Sequence, residues 1–154
     1  MRAVIQRVRR ASVVADGTPT GACDAGLLIL LGVARGDTAD DAERLADKIA
    51  KLRIFSDEHG KMNLSVQDVA GSALVISNFT LCAAYAKGNR PDYFSAEEPT
   101  RANELYKEFV RVLRARVRSV ETGVFGADMQ ITTVLDGPIT IVMESEVLRK
   151  GGKS

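Results

Sequence analysis

The chain contains the continuous apolar run Gly26-Leu27-Leu28-Ile29-Leu30-Leu31-Gly32-Val33, which has the length of a β-strand. Such a run predicts a strand in the interior of a sheet that is covered on both faces. The segment before it, residues 2–15, is rich in valine and isoleucine and is followed by Asp16-Gly17, a dipeptide typical of β-hairpin turns. We therefore expect two paired strands at the start of the chain, followed by a buried strand.

Two amphipathic helices are predicted further along, with another apolar strand, residues 73–76, between them. Thr38 with Asp41 three residues later has the spacing of a helix N-cap. A second helix is expected to begin near Pro99. The positions predicted to face the core are Ala42, Leu45, Ala46, Ile49 and Leu52 in the first helix and Leu105, Phe109, Val112 and Leu113 in the second.

The end of the chain predicts two strands, at residues 129–134 and 139–143, separated by the turn Leu135-Asp136-Gly137-Pro138. We expect a single domain over residues 1–148 and a disordered tail over residues 149–154. The order of elements indicates an α+β fold with mixed and antiparallel sheets packed against two main helices.

Composition narrows the class of protein. The 154-residue chain is 45% hydrophobic, enough for one core, and its apolar runs are too short for a signal peptide or a membrane span. We expect a cytoplasmic protein with no membrane association. Cys23 and Cys82 lie in no CxxC or Cys/His cluster, so we predict two buried, reduced thiols and no metal site.

The net charge of +1 does not predict nucleic-acid binding, which usually depends on a concentrated basic surface. Basic residues are nevertheless concentrated in two places, where a solvated surface is the simpler explanation. These residues are Arg2, Arg7, Arg9 and Arg10 in the first strand and Lys107, Arg111, Arg114, Arg116 and Arg118 in and after the second helix.

Conventional catalytic motifs are absent from the sequence. His59 is the only histidine, and it lies in the polar turn at residues 56–61, so a Ser-His-Asp or Cys-His site is not predicted. No GxxxxGK[ST] or GxGxxG loop occurs, which gives no support to nucleotide chemistry. The polar segment Ser77-Asn78-Phe79-Thr80, directly after the apolar strand at residues 73–76, is the first candidate site.

Ser77-Asn78-Phe79-Thr80-Leu81 and Asp136-Gly137-Pro138-Ile139-Thr140 resemble the two signature segments of the D-aminoacyl-tRNA deacylase family. The chain departs from the usual family sequence at Asn78, where glutamine is usual, and at Leu135, where asparagine is usual. Further segments are similar to family sequence in the same order, and the resemblance extends to Ser145. These segments are residues 1–8, 31–33, 61–65, 87–91 and 125–129.

The resemblance implies an enzyme of translation proofreading. Such an enzyme hydrolyses the ester bond of D-aminoacyl-tRNA, and of mischarged glycyl-tRNA, to free tRNA and amino acid. The implied partners are the tRNA acceptor end and a second copy of the chain, because the family fold is a barrel-like α+β homodimer. The resemblance implies no cofactor and no metal.

The resemblance assigns catalysis to Ser77, Asn78, Phe79 and Thr80. The backbone N–H groups of Phe79 and Thr80 are implied to form an oxyanion hole for the attacked ester carbonyl. A ribose hydroxyl of the terminal adenosine is implied to assist the attacking water. Nucleophilic attack by Thr80 is the rival mechanism, and it lacks a base to activate the hydroxyl.

Substrate binding is assigned to the second segment, Gly137, Pro138, Ile139 and Thr140. A cis Gly-Pro peptide, inserted from one subunit into the site of the other, is implied to bind the α-amino group and to obstruct an L side chain. Glycine has no side chain to obstruct, so glycyl-tRNA is expected to be cleaved as well. An ordinary turn is the alternative meaning of this dipeptide.

Other assignments have simpler alternatives. Phe125, Gly126 and Met129 are implied to contact the terminal adenine, and core packing explains them equally well. Lys87 and Arg90 are implied to contact phosphates near the acceptor end, and exposed loop charges are the alternative. Two other functions stay open: a deacylase with a trans Gly-Pro turn and relaxed chirality, suggested by Leu135, and a non-catalytic RNA-binding or chromatin-associated module.

Overall fold

The computed structural model describes residues 1–150, in which the strands form a nearly closed, barrel-like sheet and the helices pack outside it. Along the chain the elements are β1 (Arg2–Ala15), β2 (Thr18–Cys23), β3 (Gly26–Gly32), α1 (Ala39–Ala50), β4 (Phe55–Ser56), β5 (Met62–Leu64), β6 (Ser72–Ser77), a 3-10 turn (Phe79–Cys82), α2 (Pro99–Arg114), β7 (Ser119–Thr122), β8 (Met129–Glu144) and α3 (Ser145–Lys150).

Strand β1 organises the sheet because it pairs on both of its edges. One edge pairs antiparallel with β3 and then with β2, and the other edge pairs antiparallel with β8. The sheet continues from β3 to β6 and β7 in parallel pairing. The Ala22 N–H of β2 donates to Glu121 Oε2 of β7 at 2.7 Å, so the two ends of the strand order nearly meet. The predicted mixed α+β fold is confirmed.

Strand β3 is covered on both faces, as its apolar run predicted. Alternate residues of a strand point to opposite faces. Leu27, Ile29 and Leu31 belong to the core cluster shared with α1 and α2, whereas Leu28 belongs to a second cluster with Leu74 and other strand residues. The barrel therefore has one apolar layer inside it and another beneath the helices.

Both predicted helices form. Thr38 caps α1: its hydroxyl accepts from the Asp41 N–H, and the Asp41 carboxylate accepts from the Thr38 N–H at 2.8 Å. Helix α2 begins at Pro99, and the Glu98 carboxylate accepts from the first N–H groups. The predicted inward residues of α2 are buried, as are those of α1 except Leu52, which lies beyond the helix end and is half-buried.

The two strands predicted at the end of the chain are wrong, because residues 129–144 form one strand, β8. Both halves pair with β1: Gln6 lies opposite Thr140 and Val8 lies opposite Leu135. Residues 136–139 therefore stand against Arg7 alone and form a bulge. Local turn chemistry was correctly located, but the chain continues along the same partner strand instead of reversing.

Strand β7 and helix α3 were not predicted, and the expected start of a disordered tail at Arg149 is wrong. Arg149 lies in α3, where its guanidinium pairs with the buried carboxylate of Asp41 and lies 3.4 Å from that of Asp37. The remainder of the predicted tail, residues 151–154, lies outside the described residues. Cys23 and Cys82 are buried free thiols, and burial raises the pKa of Cys23 to about 11.

Candidate active site

A pocket of about 640 Å³ lies where β6 ends and the 3-10 turn begins. Its other wall comes from the segment between β7 and β8 and from the start of α2. The pocket thus brings together residues 77–80, to which the resemblance assigned catalysis, and residues 125–129, to which it assigned contact with the terminal adenine. The predicted site residues that line it are Ser77, Asn78, Phe79, Thr80, Phe125, Gly126 and Met129.

The 3-10 turn, whose first two residues line this pocket, leaves backbone donors without a partner. The Asn78 N–H donates to Leu31 O at 2.8 Å, which continues the pairing of β6 with β3 for one more residue. The N–H groups that open a helical turn have no acceptor within it. Within residues 1–150, the N–H groups of Phe79 and Thr80 have no hydrogen-bond acceptor at all. Two adjacent residues that line the pocket therefore each have an unsatisfied N–H group.

The Thr80 side chain is engaged locally. Its hydroxyl donates to Asn78 Oδ1 at 2.5 Å. An amide oxygen accepts a hydrogen bond but is far too weak a base to remove the hydroxyl proton. This contact also shows what Asn78 does with its short side chain: it holds the first residues of the turn together.

Apolar surface surrounds these donors. The Phe79 ring is 59% exposed, and it packs edge-on against Tyr93 with ring centroids 5.1 Å apart. Across the pocket, Phe125 packs against Tyr106 at 5.9 Å, and Met129 packs against the inner apolar cluster of the barrel. Phe125 and Met129 therefore line the pocket and also contribute to core packing.

Sequence reasoning missed two carboxylates that line the pocket, Glu97 and Asp128. Glu97 precedes α2, and its carboxylate accepts from the Glu98 N–H at 2.9 Å. Asp128 lies inside the family-like segment at residues 125–129 and is exposed. Glu97 could have been found from the sequence, because it lies two residues before the predicted helix start at Pro99. The remaining lining residues are Leu30, Ile76, Pro99, Ala102, Ala127 and Ile131.

The bulge of β8 lies apart from this pocket within one chain, and none of Gly137, Pro138, Ile139 and Thr140 lines it. The Gly137–Pro138 peptide is cis, and Gly137 has a φ of +129°. All of the bulge except Asp136 and Ile139 is exposed. The bulge therefore projects from the sheet with its glycine and proline available to another molecule.

Two side chains from β1 hold the bulge in place, and sequence reasoning assigned neither to the site. Arg7 Nε lies 3.2 Å from Asp136 Oδ2, and Arg7 Nη1 donates to Ile54 O at 2.7 Å. Gln6 Nε2 donates to Thr140 Oγ1 at 3.4 Å. Because Arg7 is the residue opposite the bulge, its guanidinium ties the bulge to the body of the barrel. Arg7 could have been found from the sequence, because it belongs to the basic cluster of the first strand.

Lys87 and Arg90 do not line the pocket. Both are exposed in the loop before α2, and neither has a partner among the described residues. His59 lies in the turn between β4 and β5, where its side chain is 75% exposed and 3.4 Å from Glu58. The structure therefore does not bring these three residues to the candidate site.

Within residues 1–150, no group of three or more His, Cys, Asp or Glu side chains is arranged to hold a metal ion. No helix in this part of the chain is long and apolar enough to cross a membrane.

Comparison with known proteins gives concordant matches over nearly the whole chain. The family model described as D-Tyr-tRNA(Tyr) deacylase matches residues 4–144. A D-aminoacyl-tRNA deacylase of Anaeromyxobacter dehalogenans is 56% identical over 148 residues, which are 96% of this chain and 99% of that protein. One of Chloroflexus aurantiacus is 57% identical over 149 residues, 97% of this chain and 93% of that protein.

Solved structures agree with this match. A structure of c-Myc DNA unwinding element binding protein superposes with a TM-score of 0.88 at 41% identity, covering 94% of this chain and 98% of that one. A probable eukaryotic D-amino acid tRNA deacylase gives a TM-score of 0.80 at 12% identity, covering 92% and 97%. At that identity the second likeness concerns the fold alone.

Proposed function

The chain belongs to the D-Tyr-tRNA(Tyr) deacylase family, and from this premise we propose which of its residues catalyse deacylation and which bind the substrate. It is a hydrolase of translation proofreading that cleaves the ester bond of D-aminoacyl-tRNA, the activity for which relatives over 50% identical are named. The observation that supports the proposed site is the pair of unsatisfied N–H groups of Phe79 and Thr80.

These two N–H groups act as the oxyanion hole. When water attacks the ester carbonyl, negative charge develops on the carbonyl oxygen, and fixed donors at the pocket stabilise it. They need no reorganisation, because the 3-10 turn already holds them without competing acceptors. The ribose oxygen then leaves with a proton, and the acid is released.

Thr80 does not act as the nucleophile. Its hydroxyl donates to an amide oxygen, and no histidine lies at the pocket to activate it. A ribose hydroxyl of the terminal adenosine assists the attacking water, so the RNA supplies chemistry that these side chains do not. The adenine of that nucleotide rests against Phe125, Gly126 and Met129, which offer apolar contact to a base.

The active protein is a homodimer in which the bulge of one subunit enters the pocket of the other. Strand β8 is an edge strand within the described residues, and an exposed apolar edge of this length favours pairing with another chain. The bulge and the pocket are both exposed at the surface of one chain. The exposed apolar residues of β8 are Ile131, Val134, Leu135 and Val142.

Selection then works by exclusion. Gly137 and Pro138 of the partner subunit approach the α-carbon of the bound amino acid and leave no room for an L side chain. A D side chain points away from them, and glycine has no side chain, so D-aminoacyl-tRNA and glycyl-tRNA are both cleaved. Lys87 and Arg90 contact phosphates at the acceptor end, for which their exposure and lack of acidic partners leave them available.

The test is deacylation of matched D-Tyr-tRNA, Gly-tRNA and L-Tyr-tRNA by the purified protein. We expect the D and glycyl esters to be cleaved and the L ester to be spared. Cleavage of the L ester at a similar rate would instead indicate the relaxed deacylase. Glycyl-tRNA left intact at enzyme levels that clear D-Tyr-tRNA would refute the glycine assignment. Binding of tRNA without any hydrolysis would indicate the non-catalytic module.

A further inference from the structure

A second cavity, of about 600 Å³, lies directly beside the candidate active site. We call it the α2 groove, because one wall is helix α2 and the other is the segment at residues 122–125. Phe125 lines both the α2 groove and the active-site pocket, so the two cavities share a wall. The groove is lined by Asn103, Tyr106, Lys107, Val110, Arg114, Thr122, Gly123, Val124 and Phe125.

The structure separates the basic residues of α2 into two groups. Arg111 donates to both carboxylate oxygens of Glu108, and Arg116, just after the helix, donates to Asp47 at 2.7 Å. Lys107 and Arg114, seven residues apart on one helix face, line the α2 groove instead. Neither has a carboxylate partner within residues 1–150, and Arg114 makes only a backbone contact, to Val120 O at 3.2 Å. The groove therefore carries two positive charges that form no ion pair within the described part of the chain.

The groove also offers the contacts that a nucleobase requires. Val124 is 45% exposed, and together with the Phe125 ring it provides an apolar surface. Asn103 Oδ1 is buried and has no hydrogen-bond donor among the described residues. A buried acceptor without a partner is costly, so it favours a ligand that brings an N–H group.

We propose that the α2 groove binds the single-stranded nucleotides that precede the terminal adenosine of tRNA, an inference that rests on the proposed function. In the proposed site the terminal adenine rests against Phe125, and the α2 groove is lined by the same residue, so the groove is placed next to the nucleotide that precedes the adenosine. Lys107 and Arg114 contact the phosphates. A base lies against Val124, and its exocyclic amino group donates to Asn103 Oδ1. Aromatic or apolar contact combined with backbone charge is the usual mode of single-strand recognition.

The experiment compares two substrates, D-Tyr-tRNA and 3′-O-D-tyrosyl-adenosine, which lacks the preceding nucleotides. For Lys107→Ala we expect kcat/KM on D-Tyr-tRNA to fall about tenfold, as for loss of one charge-assisted contact. The same variant should cleave the adenosine ester at the native rate. Its dependence of log KM on log salt should also be shallower by about 0.7, the value for one phosphate contact on a single strand.

Arg111→Ala is the matched control, because it removes a cation of the same helix that is already paired with Glu108. It should leave both substrates unaffected. Equal loss on both substrates in Lys107→Ala, or native cleavage of D-Tyr-tRNA, would overturn the role of the groove. Failure of the unaltered protein to cleave either substrate would overturn the proposed function itself.

Asn103→Leu gives a second test, which distinguishes a role in binding a base from a purely structural role of Asn103. The change removes a buried acceptor that has no partner, so the unfolding temperature of the variant should equal or exceed that of the unaltered protein. We expect kcat/KM to fall for D-Tyr-tRNA and to be unchanged for the adenosine ester. A lower unfolding temperature with equal loss on both substrates would contradict binding of a base at Asn103.

Discussion

Thr80, which lines the pocket, carries two groups of different chemistry, its hydroxyl and its backbone N–H. If the N–H group stabilises the oxyanion, Thr80→Ala keeps it and should retain kcat within about tenfold of the native value. Thr80→Pro removes it without breaking a hydrogen bond within residues 1–150, since the N–H group has no acceptor there, and should lower kcat about 100-fold to 1000-fold. Single-turnover deacylation of D-Tyr-tRNA measures both.

The activities of the two Thr80 variants are compared only if both proteins are folded at the assay temperature, which thermal unfolding checks. Complete loss of activity in a folded Thr80→Ala protein that still binds substrate would contradict the proposed mechanism. It would favour attack by the hydroxyl instead.

Gly137 is required by the backbone of the bulge. At a φ of +129°, a Cβ on this residue would lie 2.8 Å from both the N and the Cγ1 atoms of Ile139. We expect Gly137→Ala to lower the free energy of unfolding by about 1–3 kcal/mol and to displace the bulge. Its kcat/KM for D-Tyr-tRNA should fall more than tenfold, because a loss of only about 1.4 kcal/mol in binding free energy corresponds to a factor of ten. Urea unfolding and steady-state deacylation are the measurements.

Gly60→Ala is the control for that prediction. Gly60 also has a positive φ, +76°, but a Cβ there meets no atom within 4 Å. Its cost should therefore be the backbone strain alone, about 1–2 kcal/mol, with no effect on deacylation. Equal loss of activity in both variants would mean that stability, and not the bulge, limits the enzyme.

At the scale of elements, α3 is attached to α1 through the Arg149–Asp41 ion pair. Burial of the Asp41 carboxyl favours a higher pKa, but hydrogen bonds from Arg149 and Thr38 outweigh it and hold the pKa well below its usual range. A carboxyl with a depressed pKa in the folded state stabilises the fold above its unfolded pKa, about 4. That stabilisation is lost as the pH falls through the folded pKa.

Asp41→Asn should therefore destabilise the protein by about 2 kcal/mol at pH 7, as for loss of hydrogen bonds to a buried charge. The difference from the native protein should shrink below about pH 4, where the unfolded carboxyl is protonated. Asp40→Asn is the control, because Asp40 pairs with Arg44 on the exposed face of the same turn and should contribute under about 1 kcal/mol. A difference that did not change between pH 3 and pH 7, measured by urea unfolding, would argue against the assignment to Asp41.

The bulge in β8 is a feature of the element and not of its residues alone. Asp136-Gly137-Pro138 is compatible with a hairpin turn or with a bulge, because both need a glycine and an irregular backbone. Pairing of both halves with β1 decides between them. Arg7 then fixes the bulge through Asp136.

At the scale of the whole molecule, the proposed sharing of each site between two subunits predicts complementation between subunits that are damaged in different places. Thr80→Pro damages the pocket and Gly137→Ala damages the bulge. A heterodimer of the two has one site with a native pocket and a native bulge, and a second site with both changes. Random pairing should therefore restore about a quarter of the native sites, because half the dimers are mixed and each has one intact site.

Coexpression with two affinity tags isolates the mixed dimers, in which one of the two sites is intact, so their D-Tyr-tRNA deacylation should reach about half of the native activity per dimer. Thr80→Pro carried on both tags is the control and should stay inactive. Heterodimers that form but show no recovery would mean that each subunit uses its own bulge or that the bulge is not part of the site.

Local patterns predicted much of this molecule. The Asp16-Gly17 turn, the buried strand β3, the Thr38 cap and the start of α2 at Pro99 all follow from short-range chemistry, and the structure confirms them. The resemblance placed residues of two distant segments in one site, and seven of them line one pocket. Six further residues were assigned by the same resemblance and, within one chain, lie outside this pocket: Lys87, Arg90, Gly137, Pro138, Ile139 and Thr140.

The amino-acid sequence by itself determined the α+β class, the main strands and helices, and the family, because periodicity, caps and ordered motifs depend on neighbouring residues. The tertiary structure alone decided that β8 is one strand with a bulge, that Arg149 pairs with Asp41, and that Lys107 and Arg114 have no carboxylate partner within residues 1–150. Each of these depends on residues far apart in the chain, 108 positions in the case of Arg149 and Asp41. Local propensity carries no information about such partners, since only the folded chain brings them together.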